Sequence, residues 1–445
     1  MNKRVSLLPL TLALIAVLAA CGSVPTAAPT TAPATGATAA PAALGAVTIH
    51  FLSAQAEDEP NYSNVISDLS REFQAQHPTV VYKYEQTPQT GLEEKILLLA
   101  GSDSLPTLFA SPATGTLVEM YDKGLVLDAE QAFKDLGIFD TLKPVAVDLI
   151  KNINNGKMAA LPTELNIEGF WYNKQIFADN GIQVPTTWDQ LVQAAETLHG
   201  KGIQPFAASG EQGWPLTRLI GNYALRKLGP DALDRVARGE LKLTDPGFVE
   251  AAQAVQDLGT QGYFGEGVAT IDYATAVDQF LQGQAAMLYM GSWVLGDFNN
   301  PERNKIGVDN IGLFNFPTVT DGKGTADDWV MNAGLTVSLS KARYDENPQA
   351  VGEWLKYVFT RYGDHAMNDH GLITGFVVKN PPAEVPPLNQ TVQATIDAVK
   401  TPTLWFEGRF DAEATTMSQR NAVLLVMGDM TPEQFLGDLQ QVLEK

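Results

Sequence analysis

Cysteine is almost missing from this chain. Cys21 is the only one in 445 residues, so no disulfide can brace the fold and the apolar core must hold it alone. The same scarcity excludes a thiol enzyme from everything after residue 21. Basic side chains are also few, 30 Lys and Arg against 51 Asp and Glu, for a formal charge of −21. Nucleic acid and anionic lipid surfaces select basic patches, so both are excluded as partners. Histidine occurs five times, at positions 50, 77, 199, 365 and 370, with no His-Glu-x-x-His string. His365 and His370, flanked by Asp364 and Asp369, could meet on a metal, but a solvated helix end is expected there and no metal is assigned. No Gly-rich loop ending in Gly-Lys-Ser/Thr and no Gly-x-Ser-x-Gly elbow occurs, which removes P-loop and α/β-hydrolase chemistry. Carboxylates are abundant enough to leave a glycosidase pair open.

What is present begins at the N-terminus. Lys3 and Arg4 precede an apolar run from Val5 to Ala20 that ends Leu18-Ala19-Ala20-Cys21. A basic start, a short apolar segment and small residues before a cut describe a secretory leader over residues 1–20, too short for a permanent span of roughly 20 residues. Leu-Ala-Ala-Cys resembles the lipobox of bacterial lipoproteins, which implies acylation of Cys21 and anchorage outside the cell membrane. Loss of the leader takes the charge from −21 to −23. Val24–Gly45 is rich in Ala, Thr and Pro and carries no charge, so residues 21–45 read as an extended, unpacked linker.

The 400 residues from Ala46 are too many for one small core and suggest two lobes. Val47–Leu52, Val80–Tyr84 and Leu108–Ala110 read as buried strands separated by helices, the first with Val65, Ile66, Leu69 and Phe73 on one stripe. Lys157–Pro162, Gly169–Tyr172, Ala285–Met290, Ile311–Phe316 and Leu335–Leu339 continue the pattern. Thr187 with Gln190, and Thr431 with Gln434, have the spacing of capping boxes, and Asn347-Pro348 opens a helix carrying Val351, Trp354, Leu355 and Val358. Alternating strands and helices predict an α/β protein with a mostly parallel sheet covered on both faces.

Aromatic residues supply the chemical hint. Trp171, Trp214, Trp293, Trp329 and Trp405 stand beside small or polar residues, whereas Trp188 and Trp354 occupy helix positions that look structural. The flat C–H faces of a pyranose stack on aromatic rings, and carboxylates, amides and arginines satisfy its hydroxyls. A cleft of this composition suits a neutral sugar.

Several strings occur in an order that resembles the extracellular solute-binding proteins of bacterial ABC transporters, in the carbohydrate-binding group related to the maltose-binding protein. They are Phe73-Gln-Ala-Gln-His-Pro78, Leu105-Pro-Thr-Leu-Phe109 with Thr107 where that group usually has Asp, and Tyr121-x-x-Gly-Leu-Val126. Ala160-Leu-Pro162 leads to Trp171-Tyr-Asn-Lys174, Phe177, Gly181, Pro185 and Thr187-Trp-Asp189; later come Phe280-x-x-Gly283-x-Ala-Ala-Met287 and Gly291-Ser-Trp293. The resemblance spans nearly all of Ala46–Lys445 and implies a two-lobed, type II periplasmic-binding-protein fold. Its discontinuous lobes, 46–162 with 319–375 and 163–318 with 376–445, would be joined by crossings near Leu161–Glu164, Phe316–Thr320 and Thr374–Lys379.

The resemblance further implies a lipid-anchored, monomeric receptor that captures a sugar or oligosaccharide by lobe closure and passes it to the transmembrane subunits of a permease. It implies no enzymatic step and no cofactor. Ligand contacts are expected from Trp293 above all, then from Glu57, Asp58, Ser111, Glu164, Glu211, Trp214, Asn332, Gly334, Trp405, Glu407 and Arg409. Arg409 has the alternative of pairing with Glu407 on the surface. A secreted glycoside hydrolase or lyase, a receptor for a non-sugar polar ligand such as a polyol, and an adhesive surface lipoprotein remain the competing readings.

Overall fold

A computed structural model describes residues 44–89, 91–111, 115–400 and 402–445. The leader, Cys21 and most of the linker lie outside the described residues. Leu44 is already buried, and its carbonyl accepts from the Thr79 hydroxyl, so the packed body starts by that residue.

Among the described residues, nine strands form two sheets: β1 (Val47–Ser53), β2 (Val80–Gln86), β3 (Leu108–Ser111), β4 (Asn166–Asn173), β5 (Gln204–Ala207), β6 (Ala285–Gly291), β7 (Ile311–Phe314), β8 (Val330–Asn332) and β9 (Thr336–Leu339). The first sheet has the order β2-β1-β3-β9, and the second β5-β6-β4-β7 with β8 also paired to β4. In the first sheet, β1 runs parallel to β2 and β3, while β9 is antiparallel to β3. The second sheet corrects the expectation of mostly parallel strands: only β5 and β6 are parallel, and β4 is antiparallel to β6, β7 and β8. The reason lies in the connections between sheets. β4 arrives from the first sheet and β8 leaves for it alongside, so the two must run in opposite directions.

Three segments link the sheets side by side. The chain passes from Leu161, bridged to Val337, to Asn166 at the start of β4. It returns between Asn332, at the end of β8, and Thr336. The expected second crossing near Phe316–Thr320 falls short of this return, because Thr318 is still bridged to Thr187 and Val330–Asn332 still pairs with β4. Ile373–Phe376 lies against the first crossing, Leu165 N–H donating to Ile373 O (3.1 Å) and Gly375 N–H to Pro162 O (3.0 Å). Beyond it, Thr403 bridges to Val330. Lys157–Pro162, expected as a strand, contributes only the Leu161 bridge.

Helix ends follow their sequence signals closely. Thr431 and Gln434 form the full reciprocal capping box. Thr187 makes half of one: its hydroxyl accepts from Gln190 N–H, but the Gln190 side-chain Oε1 accepts from the backbone N–H and hydroxyl of Thr186. Trp354 is fully buried in the helix Pro348–His370, its Nε1 donating to Ser70 Oγ (3.1 Å) on the helix Tyr62–Gln76. Trp188 stacks on Phe316 inside the second lobe. Trp171, grouped above with the sugar-facing aromatics, is core: it is fully buried, donates to Met290 O (3.0 Å) and meets Phe298 edge-on.

Candidate functional site

Trp214 opens the helix Trp214–Leu228, with Pro215 in its first turn, where a missing N–H costs nothing. Gly213 before it has φ +71°, and a Cβ there would lie 2.0 Å from Gln419 O, so only glycine lets the chain turn in this close approach. Trp293 sits in the 3-10 turn Ser292–Val294 directly after β6. Its ring lies back over Gly291, where a Cβ would fall 1.9 Å from Cζ3. The two indoles meet edge-on at 5.9 Å, and Tyr273 lies 6.2 Å from Trp214.

One helical turn on, Arg218 lies between two indole rings, 5.5 Å from Trp214 and 5.4 Å from Trp405. Its Nε approaches Glu168 Oε2 on β4 at 3.1 Å, and Nη1 donates to Glu407 Oε2. Both carboxylates are buried; Glu407 also accepts from the Thr217 hydroxyl, and Glu168 from Asn332 Nδ2 on β8 (2.9 Å). Burial pushes the Glu168 carboxyl up, opposed by Arg218 and Asn332. Burial alone would lower the Arg218 guanidinium; Glu168 and Glu407 outweigh it and hold it above its ordinary value. The arrangement is a fixed cation clasped by two fixed carboxyl groups and faced by half-buried aromatic surfaces.

The crossing segments extend this cluster. Asn332 Oδ1 accepts from Gly334 N–H (3.0 Å), and Gly334 has φ +60°. A Cβ on Gly334 would sit 1.7 Å from Glu164 Oε2, so the Glu164 carboxyl rests directly on the glycine backbone. No hydrogen-bond donor or cation among the described residues reaches it, and burial pushes its pKa up to about 7.

The expected residues therefore divide. Trp214, Trp293, Trp405, Glu407 and Asn332 converge, and Glu164 and Gly334 lie next to them through Asn332. Glu57 pairs with Arg71 (2.6 Å) and Asp58 is exposed beyond β1. Ser111 is buried, its hydroxyl bonded to Ser338 Oγ (2.9 Å) inside the first sheet. Glu211 is exposed, three residues before Trp214. Arg409 does not pair with Glu407; it binds Asp234 (2.7 Å) and the Asn152 backbone carbonyl (2.7 Å). Sequence reasoning missed Arg218 and Glu168. The i, i+4 spacing of Trp214 and Arg218 was a usable signal, whereas nothing in the sequence placed Glu168 beside them.

A separate groove of about 640 Å³ lies between the helices Trp188–His199 and Pro246–Thr260, lined by Trp188, Glu196, Tyr223, Glu250 and Asp257. It shares no residue with the indole cluster.

Among solved structures, a chitin oligosaccharide binding protein matches with a TM-score of 0.78 and 23% identity, over 90% of this chain and 98% of that one. RafE of Streptococcus pneumoniae in complex with raffinose matches at 0.67 and 22%, over 89% and 98%. Among curated relatives, a multiple sugar-binding protein of Streptococcus mutans is 24% identical over 332 residues, 71% of each chain. An uncharacterized ABC transporter extracellular-binding protein of Pyrococcus horikoshii is 26% identical over 301 residues, 66% of this chain and 64% of that one. The model of the bacterial extracellular solute-binding protein family matches residues 56–361. Well over half of the chain is covered by that match, and the two-sheet architecture agrees with it: the chain belongs to the bacterial extracellular solute-binding protein family.

Proposed function

We propose that this protein is the substrate receptor of an ABC importer, holding a neutral sugar or oligosaccharide between its lobes and delivering it to the permease subunits. The observation that carries the proposal is the cluster of Trp214, Trp293 and Trp405 around Arg218, Glu168 and Glu407. It combines stacking faces with rigid charged acceptors and donors, as hydroxyl-rich rings require. Relatives and structural neighbours named for multiple sugars, chitin oligosaccharides and raffinose support that ligand class.

The lobe boundaries fitting this reading are Leu44–Pro162 with 336–376, and 166–332 with 403–445, the intervening segments acting as hinge. The ligand contacts we assign are Trp214, Trp293, Trp405, Arg218, Glu168, Glu407 and Asn332, with Glu164 and Gly334 at the hinge. Closure would leave a wrong ligand with unpaired polar groups in a dry site, which supplies selectivity. Cys21 would carry a lipid that holds the receptor at the outer face of the membrane as a tethered monomer.

A relative from Pectobacterium atrosepticum, 26% identical over 353 residues, is named for sn-glycerol-3-phosphate. A phosphate ligand calls for surplus positive charge, whereas the one cation of this cluster, Arg218, is already engaged by Glu168 and Glu407, favouring an uncharged ligand. A glycosidase reading needs one carboxyl free to give a proton and another to attack. Glu164 has the raised carboxyl of an acid, but Glu168 and Glu407 are both clasped by Arg218, so the site offers no second free carboxylate to attack.

The test is a thermal-shift screen of the protein against mono- and oligosaccharides, glycerol phosphate and polyols, with product analysis of every hit. An intact sugar that raises the melting temperature by mass action is expected. Stabilisation by phosphates alone, or consumption of the sugar, would overturn the reading.

A further inference from the structure

Two imidazoles and a carboxylate, none of them part of the indole cluster, converge between two packed helices. Asp68 lies on the helix Tyr62–Gln76, and His365 and His370 lie on the last turns of the helix Pro348–His370. One ligand atom from each lies within 4.8 Å of the other two. His365 Nε2 and His370 Nε2 are both buried and make no hydrogen bond. Their side chains are only 18% and 10% exposed, so the solvated helix end expected from sequence is not what forms.

The distances discriminate between a hydrogen-bonded cluster and a metal cage. Asp68 Oδ2 is 3.5 Å from His365 Nε2 and 3.7 Å from His370 Nε2. Both are long for N–H···O bonds, which centre near 2.9 Å. Ligand bonds of 2.0–2.2 Å around a tetrahedral zinc place neighbouring ligand atoms about 3.4 Å apart, close to both values. The other nitrogen of His365 adds a second, independent sign. His365 Nδ1 lies 2.7 Å from Asp369 Oδ2, one turn along the same helix. A carboxylate accepting the hydrogen bond from Nδ1–H favours the tautomer whose Nε2 lone pair is turned towards Asp68, the arrangement that orients metal-binding histidines. Without a cation between them, that lone pair faces a carboxylate oxygen.

Neighbouring groups leave the site to these residues. Asp364, which also flanks His365 in sequence, is engaged by the Lys379 and Asn380 backbone N–H groups and by Asn380 Nδ2. The Asn64 amide approaches Asp68 Oδ2 at 3.5 Å and supplies no charge. The spacing of the histidines, i and i+5, escapes any search for the usual i, i+4 pair. They meet because His370 is the final residue of its helix, where Gly371 turns the chain with φ +64°.

We propose that Asp68, His365 and His370 form a binding site for a divalent transition-metal ion of the zinc class, with Asp369 as the positioning residue for His365. The site joins the first helix of the lobe to the last turn of the helix packed against it. Imidazole nitrogen with a single carboxylate suits zinc, cobalt or nickel and disfavours calcium and magnesium, which take mainly oxygen ligands.

The test uses the full chain, stripped with a chelator and titrated with zinc chloride by calorimetry, with cobalt absorption as a second readout. One equivalent of zinc should bind and raise the melting temperature. His365→Gln and His370→Gln should each weaken binding by tenfold or more, and Asp369→Asn by about tenfold. His199→Gln, remote from the cluster, should change nothing. If a histidine variant fails to fold by circular dichroism, Asp68→Asn decides, since that carboxylate is 40% exposed and its amide is isosteric. Zinc affinity unchanged in His365→Gln or Asp68→Asn, calcium binding as tight as zinc, or no zinc binding at all would overturn the proposal. Sugar binding is read separately on the same samples, so loss of one leaves the other intact.

Discussion

Trp293 owes its place to the absence of a side chain two residues earlier. Its ring lies across Gly291, and its edge meets Trp214. Trp293→Ala should therefore weaken sugar binding at least tenfold, about 1.4 kcal/mol, and leave the thermal transition nearly unchanged. Equal affinity by calorimetry would remove Trp293 from the site. Glu164 makes a different prediction, in pH. Burial raises its carboxyl from 4.5 to about 7, and no cation among the described residues offsets the cost of ionising it. Below pH 4.5 it is neutral in both folded and unfolded chains, and its contribution to stability is fully present. As pH rises towards 7 and through it, the unfolded chain ionises first and that contribution is lost, at most about 3 kcal/mol. Urea midpoints at pH 4.5 and 8 should differ less in Glu164→Gln than in the wild type. Arg218 is the costliest residue of the cluster to lose: Arg218→Met strands two buried carboxylates and should destabilise the fold by about 3–5 kcal/mol. Adding Glu168→Gln and Glu407→Gln should recover much of that loss, as measured by chemical denaturation.

Elements were legible where local chemistry decides them. The apolar β-branched run of β1, the Asn347-Pro348 helix start and the Thr431 capping box are all where the residues place them. Thr431→Ala should cost about 1 kcal/mol, read from the denaturant midpoint. Strand direction was not legible, because alternating strands and helices say nothing about which lobe receives each strand. β8 is only three residues long, too short for a strand pattern to show, yet it brings Asn332 to Glu168. Of the proposed site, the three indoles, Glu407 and Asn332 were legible, but the Arg218–Glu168 pair that joins them was not. Glu168 reads as one polar residue inside a buried strand, and only pairing across β4 and β8 sets it beside Arg218 and Asn332. Ser111 failed to join the cluster for the converse reason: its position at a strand end suggested exposure, but β9 covers it and takes its hydroxyl.

At the scale of the whole molecule, no helix among the described residues is long and apolar enough to cross a membrane. The proposed lipid on Cys21 makes its own prediction: Cys21→Ser should release the protein into the soluble fraction, and persistent sedimentation with membranes would sink the anchor. The three segments between the sheets are hydrogen-bonded to one another: Leu161 to Val337, Leu165 to Ile373, Gly375 to Pro162. Under the proposed closure, relative rotation of the lobes would be spread as small twists over three hydrogen-bonded segments. These amides should exchange with deuterium slowly and at the same rate with or without sugar, while protection gained on binding concentrates around Trp214 and Trp293. The hinge of this receptor would move as a spring moves, without melting.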